Sequence, residues 1–179
     1  MLVRANRGNA PATLPPSQAS LLGDSLNVGV ETYLRDELQG WQVDADDEVG
    51  RSTLTGVEHL RTRGTALAPY LVVSLGTNDP VGGVDAFRSD VADVLRIAGP
   101  TRCVVWVGIS RDGDAYEPFN AVLREAASKA TNLRVVDWPS LVQAHPEYVA
   151  PDGIHATPDG YRARARAIVA AMRRCPGRQ

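Results

Sequence analysis

The stretch ASLLGDSL, residues 19–26, combines a short apolar run with a Gly-Asp-Ser turn and the start of a helical pattern. A strand that runs through such a turn into a helix places Ser25 where free helix N–H groups and the helix dipole face whatever binds there. A serine hydroxyl becomes a nucleophile when a base takes its proton and donors stabilise the oxyanion that its attack creates. Ser25 is therefore a candidate nucleophile, and its base is expected elsewhere in the chain.

The rest of the chain alternates strand patterns with helix patterns. Apolar runs predict strands over residues 18–22, 42–45, 70–75, 102–107 and 133–137, and apolar side chains at helical spacing predict helices over residues 26–38, 53–64, 84–98, 119–130 and 158–172, with one short helix between 138 and 151. Strands that are apolar throughout are covered on both faces. The sequence thus predicts an α/β fold, a three-layer α/β/α sandwich around a five-stranded parallel sheet.

The candidate base lies near the end of the chain. In PDGIHATPDG, residues 151–160, Asp152 precedes His155 by three residues, so one tight turn can carry both. A carboxylate that orients an imidazole and stabilises its positive charge is the usual support for a histidine base. His59, on a predicted helix, and His145, before a proline, are expected to face solvent and to take no part in catalysis.

Four short segments together resemble the motifs of the SGNH hydrolases, the family of GDSL-like lipases and esterases. The resemblance runs from about residue 21 to residue 172, nearly the whole chain. The loops that follow parallel strands converge on one edge of the sheet, so the predicted topology can gather these segments. They are Gly23-Asp24-Ser25-Leu26, Gly50-Arg51, Gly76-Thr77-Asn78-Asp79 and Asp152-Gly153-Ile154-His155.

The resemblance implies a flavodoxin-like fold, a role for each site residue and a reaction. Ser25, His155 and Asp152 would form the catalytic triad, and the backbone N–H groups of Ser25 and Gly50 with the side-chain amide of Asn78 would form the oxyanion hole. Gly56 is a rival for the role of Gly50, because the glycine motif of the family is short. No metal ion and no organic cofactor are expected.

Three functions are compatible with these residues. The first is a serine esterase that hydrolyses short acyl or acetyl esters through an acyl-serine. The second is an O-acyltransferase with a carbohydrate acceptor, because residues 49–51, Asp137-Trp138 and the Asp-Gly-Ile-His segment are similar to the catalytic domains of peptidoglycan and polysaccharide O-acetyltransferases. The third is a binding module that kept the fold without catalysis. The sequence favours the esterase.

Length and composition restrict the domain organisation, the partners and the location that the sequence predicts. The 179 residues predict a single domain over 18–175, preceded by a flexible polar arm over 1–17. A net charge of −2 gives no electrostatic reason to bind nucleic acid or an anionic membrane. No apolar segment approaches the ~20 residues of a membrane span, and the arm lacks the apolar run of a signal peptide. The expectations are a cytoplasmic monomer and a small-molecule or carbohydrate ester as substrate.

Several other side chains receive structural interpretations. Asp24 is expected to fix the turn before Ser25, and Arg51 to pair with Asp46 or Asp47. The two cysteines are expected to be free, one as a buried thiol and one as a terminal thiol, and the alternative is a disulfide, which the sequence does not test. The arginines near the end of the chain are expected to form a solvated helix face. These residues are Cys103 and Cys175, and the arginines at 162, 164, 166, 173 and 174.

Overall fold

The computed structural model describes residues 17–111 and 113–175, so all but one residue of the predicted arm lie outside the described part of the chain. Its centre is a sheet of five parallel strands in the order β2-β1-β3-β4-β5. The predicted α/β fold class is confirmed. The strands are β1 (Gln18–Gly23), β2 (Gln42–Asp47), β3 (Tyr70–Ser74), β4 (Cys103–Val107) and β5 (Leu133–Val136).

Helices cover both faces of this sheet. Because successive strand side chains point to opposite faces, Leu21 packs with one layer of helices and Leu22 with the other. The first layer contains α1, α5 and α6, and the second contains α2, α3 and α4. No helix within the two described ranges is long and apolar enough to span a membrane. The helices are α1 (Ser25–Glu37), α2 (Thr53–Arg63), α3 (Val84–Ala98), α4 (Glu117–Lys129), α5 (Trp138–Ala144) and α6 (Pro158–Met172).

Strand β2 is two residues longer than its sequence pattern predicts. Asp46 and Asp47 belong to the strand and not to the turn after it. Their carboxylates have partners from other segments, since Asn27 Nδ2 donates to Asp47 Oδ1 over 2.7 Å and Arg51 Nη2 donates to Asp46 Oδ1 over 2.7 Å. Acidic side chains at an edge strand are stable where such partners reach them, and local propensity does not reveal those partners.

The strand register brings three loops to one edge of the sheet. Gly23 pairs with Asp47 of β2 on one side and with Ser74 of β3 on the other, so β1, β2 and β3 end at the same level. The chain moves from β1 to one side to form β2 and then returns to the other side to form β3. Ligand sites in open parallel sheets lie at such a change of direction, beyond the carboxyl ends of the strands.

Cys103 and Cys175 form a disulfide, so the prediction of two free thiols was wrong. Cys103 begins β4 and Cys175 lies just beyond α6, and the two Cα atoms are 6.0 Å apart. Helix α6 packs on the same face of the sheet that Cys103 occupies, which brings Cys175 back to the start of β4. That approach depends on tertiary packing, so the spacing of the cysteines in the sequence could not reveal it.

Reduction of this disulfide is expected to destabilise the domain strongly. The bond closes a segment of 72 residues. By the chain-entropy relation a loop of that length contributes about 4 kcal/mol of stability. A Cys103→Ala, Cys175→Ala double variant should therefore unfold at a clearly lower denaturant concentration than the wild type, and the reductant dithiothreitol should shift the wild type but not the variant. Equal midpoints for the oxidised and reduced wild type would contradict the assignment.

Candidate active site

Ser25 lies at the first position of α1, directly after the end of β1. Two hydrogen bonds of the preceding residue, Asp24, fix the turn. Asp24 donates its backbone N–H to Ser74 O over 3.1 Å, and its Oδ1 accepts the N–H of Leu26 over 3.0 Å. The N–H of Ser25 belongs to the first turn, where intrahelical acceptors are absent. The backbone therefore holds the Ser25 hydroxyl and its own N–H at the edge of the sheet.

Asp152 and His155 lie on a short hairpin, residues 149–156, whose first and last residues pair in an antiparallel bridge. Within it, Asp152 Oδ1 accepts the backbone N–H of Ile154 over 2.9 Å and that of His155 over 3.0 Å. Asp and Asn commonly stabilise turns in this way. The spacing of three residues therefore lets one carboxylate fix the turn with one oxygen and reach the imidazole with the other.

Two close approaches bring this hairpin against α1. A Cβ at Gly29 of α1 would lie 2.2 Å from the ring of Tyr161 on α6, and a Cβ at Gly160 would lie 2.1 Å from the carbonyl oxygen of Tyr148, beside the hairpin. A side chain at Gly160 would therefore collide with backbone, and one at Gly29 would displace the Tyr161 ring. Gly29 thus lets α6 approach α1, and Gly160 lets the segment before the hairpin approach α6, so α6 connects the two elements that carry Ser25 and His155.

The structure places His155, Asp152 and Ser25 in one hydrogen-bonded row. His155 Nε2 lies 2.9 Å from Ser25 Oγ, and His155 Nδ1 lies 2.7 Å from Asp152 Oδ2. The hydrogen bond from His155, followed by the two backbone N–H groups, lowers the pKa of Asp152 to about 2. The carboxylate is therefore ionised at neutral pH and accepts the Nδ1 proton, which leaves the Nε2 lone pair directed at the Ser25 hydroxyl.

Gly50 and its rival Gly56 differ in whether their N–H groups are available. Gly50 lies in the turn after β2 with φ +80° and is exposed, a backbone conformation that favours glycine. Gly56 is buried in α2, where its N–H donates to Ser52 O over 3.1 Å and an added Cβ would lie 2.4 Å from Leu75. The N–H of Gly56 is thus engaged within the helix, and Gly50 remains the candidate donor.

Asn78 follows β3, and its amide joins the two neighbouring loops. Nδ2 donates to Asp24 Oδ2 and to the backbone oxygen of Arg51, each over 3.2 Å. The second bond holds the segment that contains Gly50 beside Asn78, on the same edge as Ser25. An oxyanion would share or replace these acceptors, so donation to it by Asn78 and Gly50 stays a prediction.

Arg51 has a structural role that supports this loop. Its guanidinium is buried and pairs with Asp46, as the sequence predicts. His59 also bonds Asp46, with Nδ1 3.2 Å from Oδ2, and 43% of its side chain is exposed. His145 is exposed as expected and pairs with Glu147, with 3.0 Å between Nδ1 and Oε1. Both histidines thus have acidic partners away from the row that contains Ser25.

The exposure of one residue beside the site was predicted wrongly from the sequence. Arg164 was expected on a solvated helix face, yet it is 1% exposed, and its Nη2 donates to Ser74 Oγ over 2.8 Å. Its position carried a signal, because it lies three residues after Tyr161 and four before Ile168, on the apolar side of α6. Residue type alone had suggested exposure.

The assembled groups suit acyl transfer. Ser25 offers an oxygen nucleophile, and His155 offers a base with an ionised orienting partner. The neighbouring N–H groups can stabilise an oxyanion. About half of the Asp152 side chain is exposed, so this end of the row is open to solvent. Among the described residues, no group of three or more His, Cys, Asp or Glu side chains could hold a metal ion. The catalytic roles themselves stay predictions.

Comparison with known proteins adds relatives of two kinds. No family model matches the chain. The O-acetyltransferase OatA of Staphylococcus aureus strain NCTC 8325 is 29% identical over 167 residues, which cover 92% of this chain but 26% of the relative. The chain therefore spans about a quarter of the length of this curated relative. The similarity to O-acetyltransferase domains that the sequence suggested is confirmed.

Solved structures decide the fold. The C-terminal catalytic domain of Streptococcus pneumoniae peptidoglycan O-acetyltransferase A has a TM-score of 0.74 at 21% identity and covers 88% of this chain and 93% of that domain. A Slackia heliotrinireducens protein assigned provisionally to the SGNH hydrolases has a TM-score of 0.76 at 19% identity and covers 88% and 100%. The fold is that of the SGNH hydrolases. A lipolytic G-D-S-L protein of Veillonella parvula, at TM-score 0.72 and 17% identity over 88% and 99%, shares the SGNH fold.

Proposed function

We propose that this domain transfers an acyl group, through an acyl-serine at Ser25, to a hydroxyl of a carbohydrate acceptor. The hydrogen-bonded row from Ser25 through His155 to Asp152 carries the proposal, since the two ring nitrogens of His155 lie within 3 Å of the Ser25 hydroxyl and of the Asp152 carboxylate, respectively. Similarity to O-acetyltransferase OatA over 92% of the chain favours transfer over hydrolysis. The open row also gives a bulky acceptor room to approach.

In the first stage the donor ester acylates the enzyme. His155 Nε2 takes the proton of the Ser25 hydroxyl as Oγ attacks the carbonyl carbon of the donor. The negative charge that develops on the carbonyl oxygen is stabilised by the N–H groups of Ser25 and Gly50 and by the amide of Asn78. The carbonyl then re-forms, the bond to the donor oxygen breaks, and His155 gives its proton to the departing alcohol.

In the second stage the acceptor removes the acyl group. A hydroxyl of the carbohydrate gives its proton to His155 Nε2 while its oxygen attacks the acyl-serine carbonyl. The same donors stabilise the second oxyanion, and Ser25 Oγ leaves with the proton from His155. Asp152 stabilises the imidazolium in both stages, and its pKa of about 2 keeps it ionised throughout. The free enzyme is regenerated.

An esterase is the second candidate, because the open site also admits water to the acyl-serine. Solved structures that share the fold include a family 3 carbohydrate esterase of Clostridium thermocellum, at TM-score 0.71 and 14% identity over 88% of this chain and 96% of that chain. The two functions share the acyl-serine and differ in the group that attacks it.

A partition experiment separates the two. A chromogenic acetyl ester serves as donor, and peptidoglycan fragments serve as acceptors, because the Streptococcus pneumoniae relative is named for peptidoglycan. We expect most released acetyl groups to appear as acetylated saccharide at saturating acceptor, with Ser25→Ala as the inactive control. If free acetate accounts for all the donor consumed at every acceptor concentration, the domain is an esterase.

We also propose that the domain acts in an oxidising compartment. The disulfide between Cys103 and Cys175 supports this, because such bonds persist outside the reducing cytosol. No finding tests the cytoplasmic location expected from the sequence. Both cysteines are buried, so the test is to quench the producing cells in acid, denature the protein and alkylate it without reductant. Two cysteines that stay unalkylated agree with an oxidising compartment, and two alkylated cysteines agree with the cytoplasm.

A further inference from the structure

Helix α6 carries a buried positive charge at Arg164, which bonds the last residue of β3. Arg164 is 1% exposed, and its guanidinium carbon lies 5.0 Å from the centre of the Trp138 ring. Nη2 donates to Ser74 Oγ, whereas Nε and Nη1 have no hydrogen-bond partner among the described residues. Burial lowers the pKa of Arg164 to about 10, and the negative charge of Asp24 opposes that shift. A charge buried in this way requires a counter-charge nearby.

Asp24 supplies that counter-charge. Its side chain is fully buried, and burial raises its pKa, while the Leu26 N–H and then the charge of Arg164 oppose the shift. His155 on the hairpin also faces it with a favourable interaction, and Tyr161 on α6 is the other titratable neighbour that interacts with it. No direct hydrogen bond joins Arg164 to Asp24 among the contacts of the described residues. Both residues bond Ser74, whose Oγ accepts the N–H of Arg164 Nη2 and whose backbone oxygen accepts the N–H of Asp24, so the two charges lie on either side of one residue.

We propose that Arg164 is a positioning residue, whose buried guanidinium keeps the Asp24 carboxyl ionised so that it can orient both Ser25 and Asn78. The ionised carboxyl accepts two N–H groups of the site: Oδ1 accepts that of Leu26, next to Ser25, and Oδ2 accepts the amide of Asn78. A protonated carboxyl would carry an O–H in place of one acceptor and would weaken at least one of these bonds.

This inference rests on the proposed function of Ser25 and adds that the activity depends on a residue of α6. No hydrogen bond joins Arg164 to Ser25 or to Asn78 within the described ranges, so its effect passes through Asp24. Loss of the Arg164 charge favours the neutral form of Asp24, because a buried carboxylate then lacks its counter-charge. The pKa of Asp24 should rise further, and the ionised form should return only as the pH rises. The defect in activity should therefore be largest at low pH and become smaller at high pH.

The test compares Arg164→Met with Arg164→Lys, which retains the charge, and with Arg166→Met on the same helix. Arg166 is an exposed control whose Nε contacts Glu37 over 3.2 Å. For Arg164→Met we expect kcat/KM at neutral pH to fall on the order of tenfold to a hundredfold, the range for a lost charged hydrogen bond. The loss should shrink with rising pH. Arg164→Lys should keep most of the activity and the wild-type pH profile, and Arg166→Met should match the wild type.

A double-mutant cycle with Asp24→Asn decides whether the effect passes through Asp24. In the Asp24→Asn background, Arg164→Met should cost little further activity, because the carboxyl that it ionises is absent. Equal losses in both backgrounds, or a loss that is the same at every pH, would overturn the proposal. Those outcomes would leave the role of Ser25 intact, since fluorophosphonate labelling of the wild type tests that role separately.

Carboxyl-carbon NMR of the wild type tests the proposal without depending on the folding of any variant. The spectrum should show Asp24 ionised at neutral pH in the free protein, despite its complete burial. A protonated Asp24 in the wild type at neutral pH would overturn the proposal, whatever activity the enzyme shows. Because this measurement reads the charge and not the reaction, its result is independent of the acyl acceptor.

Discussion

Ser25→Ala is expected to lower kcat for acetyl-ester turnover by at least about 10⁴-fold, because it removes the oxygen on which the acyl group is carried. The fold should persist. Ser25 is a partly exposed residue at a helix start, and the cap that fixes this helix belongs to the preceding Asp24. Circular dichroism and thermal unfolding should therefore match the wild type while the steady-state rate falls by this factor.

Ser128→Ala is the matched control for this variant. Ser128 is an exposed serine on α4 whose hydroxyl donates to the backbone oxygen of Glu125, and it has no place in the row that contains Ser25. Its replacement should leave kcat unchanged. If Ser25→Ala keeps more than about a tenth of the wild-type rate, the reaction does not pass through an acyl-serine at this position.

The second large effect is expected for His155→Gln, which should lower kcat/KM by about 10⁴-fold. Glutamine is polar and of similar reach, but it cannot take the Ser25 proton at neutral pH. Acylation should fail first, because the attack of Oγ on the donor requires the base that lies 2.9 Å away. A single-turnover measurement with excess enzyme should show no burst of released alcohol.

His145→Gln offers a close control, because the chain contains a second histidine paired with an acid. His145 Nδ1 lies 3.0 Å from Glu147 Oε1, in an exposed pair of the same chemical kind as His155 with Asp152. Its replacement should leave the burst and the steady-state rate unchanged. A comparable loss in both histidine variants would indicate a general effect on the protein and would remove His155 from the proposed mechanism.

The strands and helices could be predicted because their signals are local. Tyr70–Ser74 and Cys103–Val107 are buried along their whole length, and continuous apolar runs indicate such strands directly. The edge strand β2 was placed less accurately, since its last two residues, both acids, depend on partners from α1 and the following loop. The disulfide was missed for the same reason, because the packing of α6 determines the distance between Cys103 and Cys175.

The residues of the candidate site could be predicted from the sequence where short motifs contain them. The Asp-Gly-Ile-His segment contains both members of the hairpin, and the structure places it beside Ser25, 130 residues away. The burial of Arg164 was missed, because arginine is usually exposed and the charge that accompanies it, Asp24, lies on a distant segment. Buried charge pairs are long-range features, and a single sequence gives only the helical spacing as a signal for them.

The central claim is that His155 activates Ser25 as a nucleophile, and the most direct measurement is peptide mapping by mass spectrometry after reaction with a fluorophosphonate. We predict one adduct, on Ser25, which forms in the wild type and in Ser128→Ala and is strongly reduced in His155→Gln. The absence of an adduct on Ser25, or equally fast labelling without His155, would contradict this account.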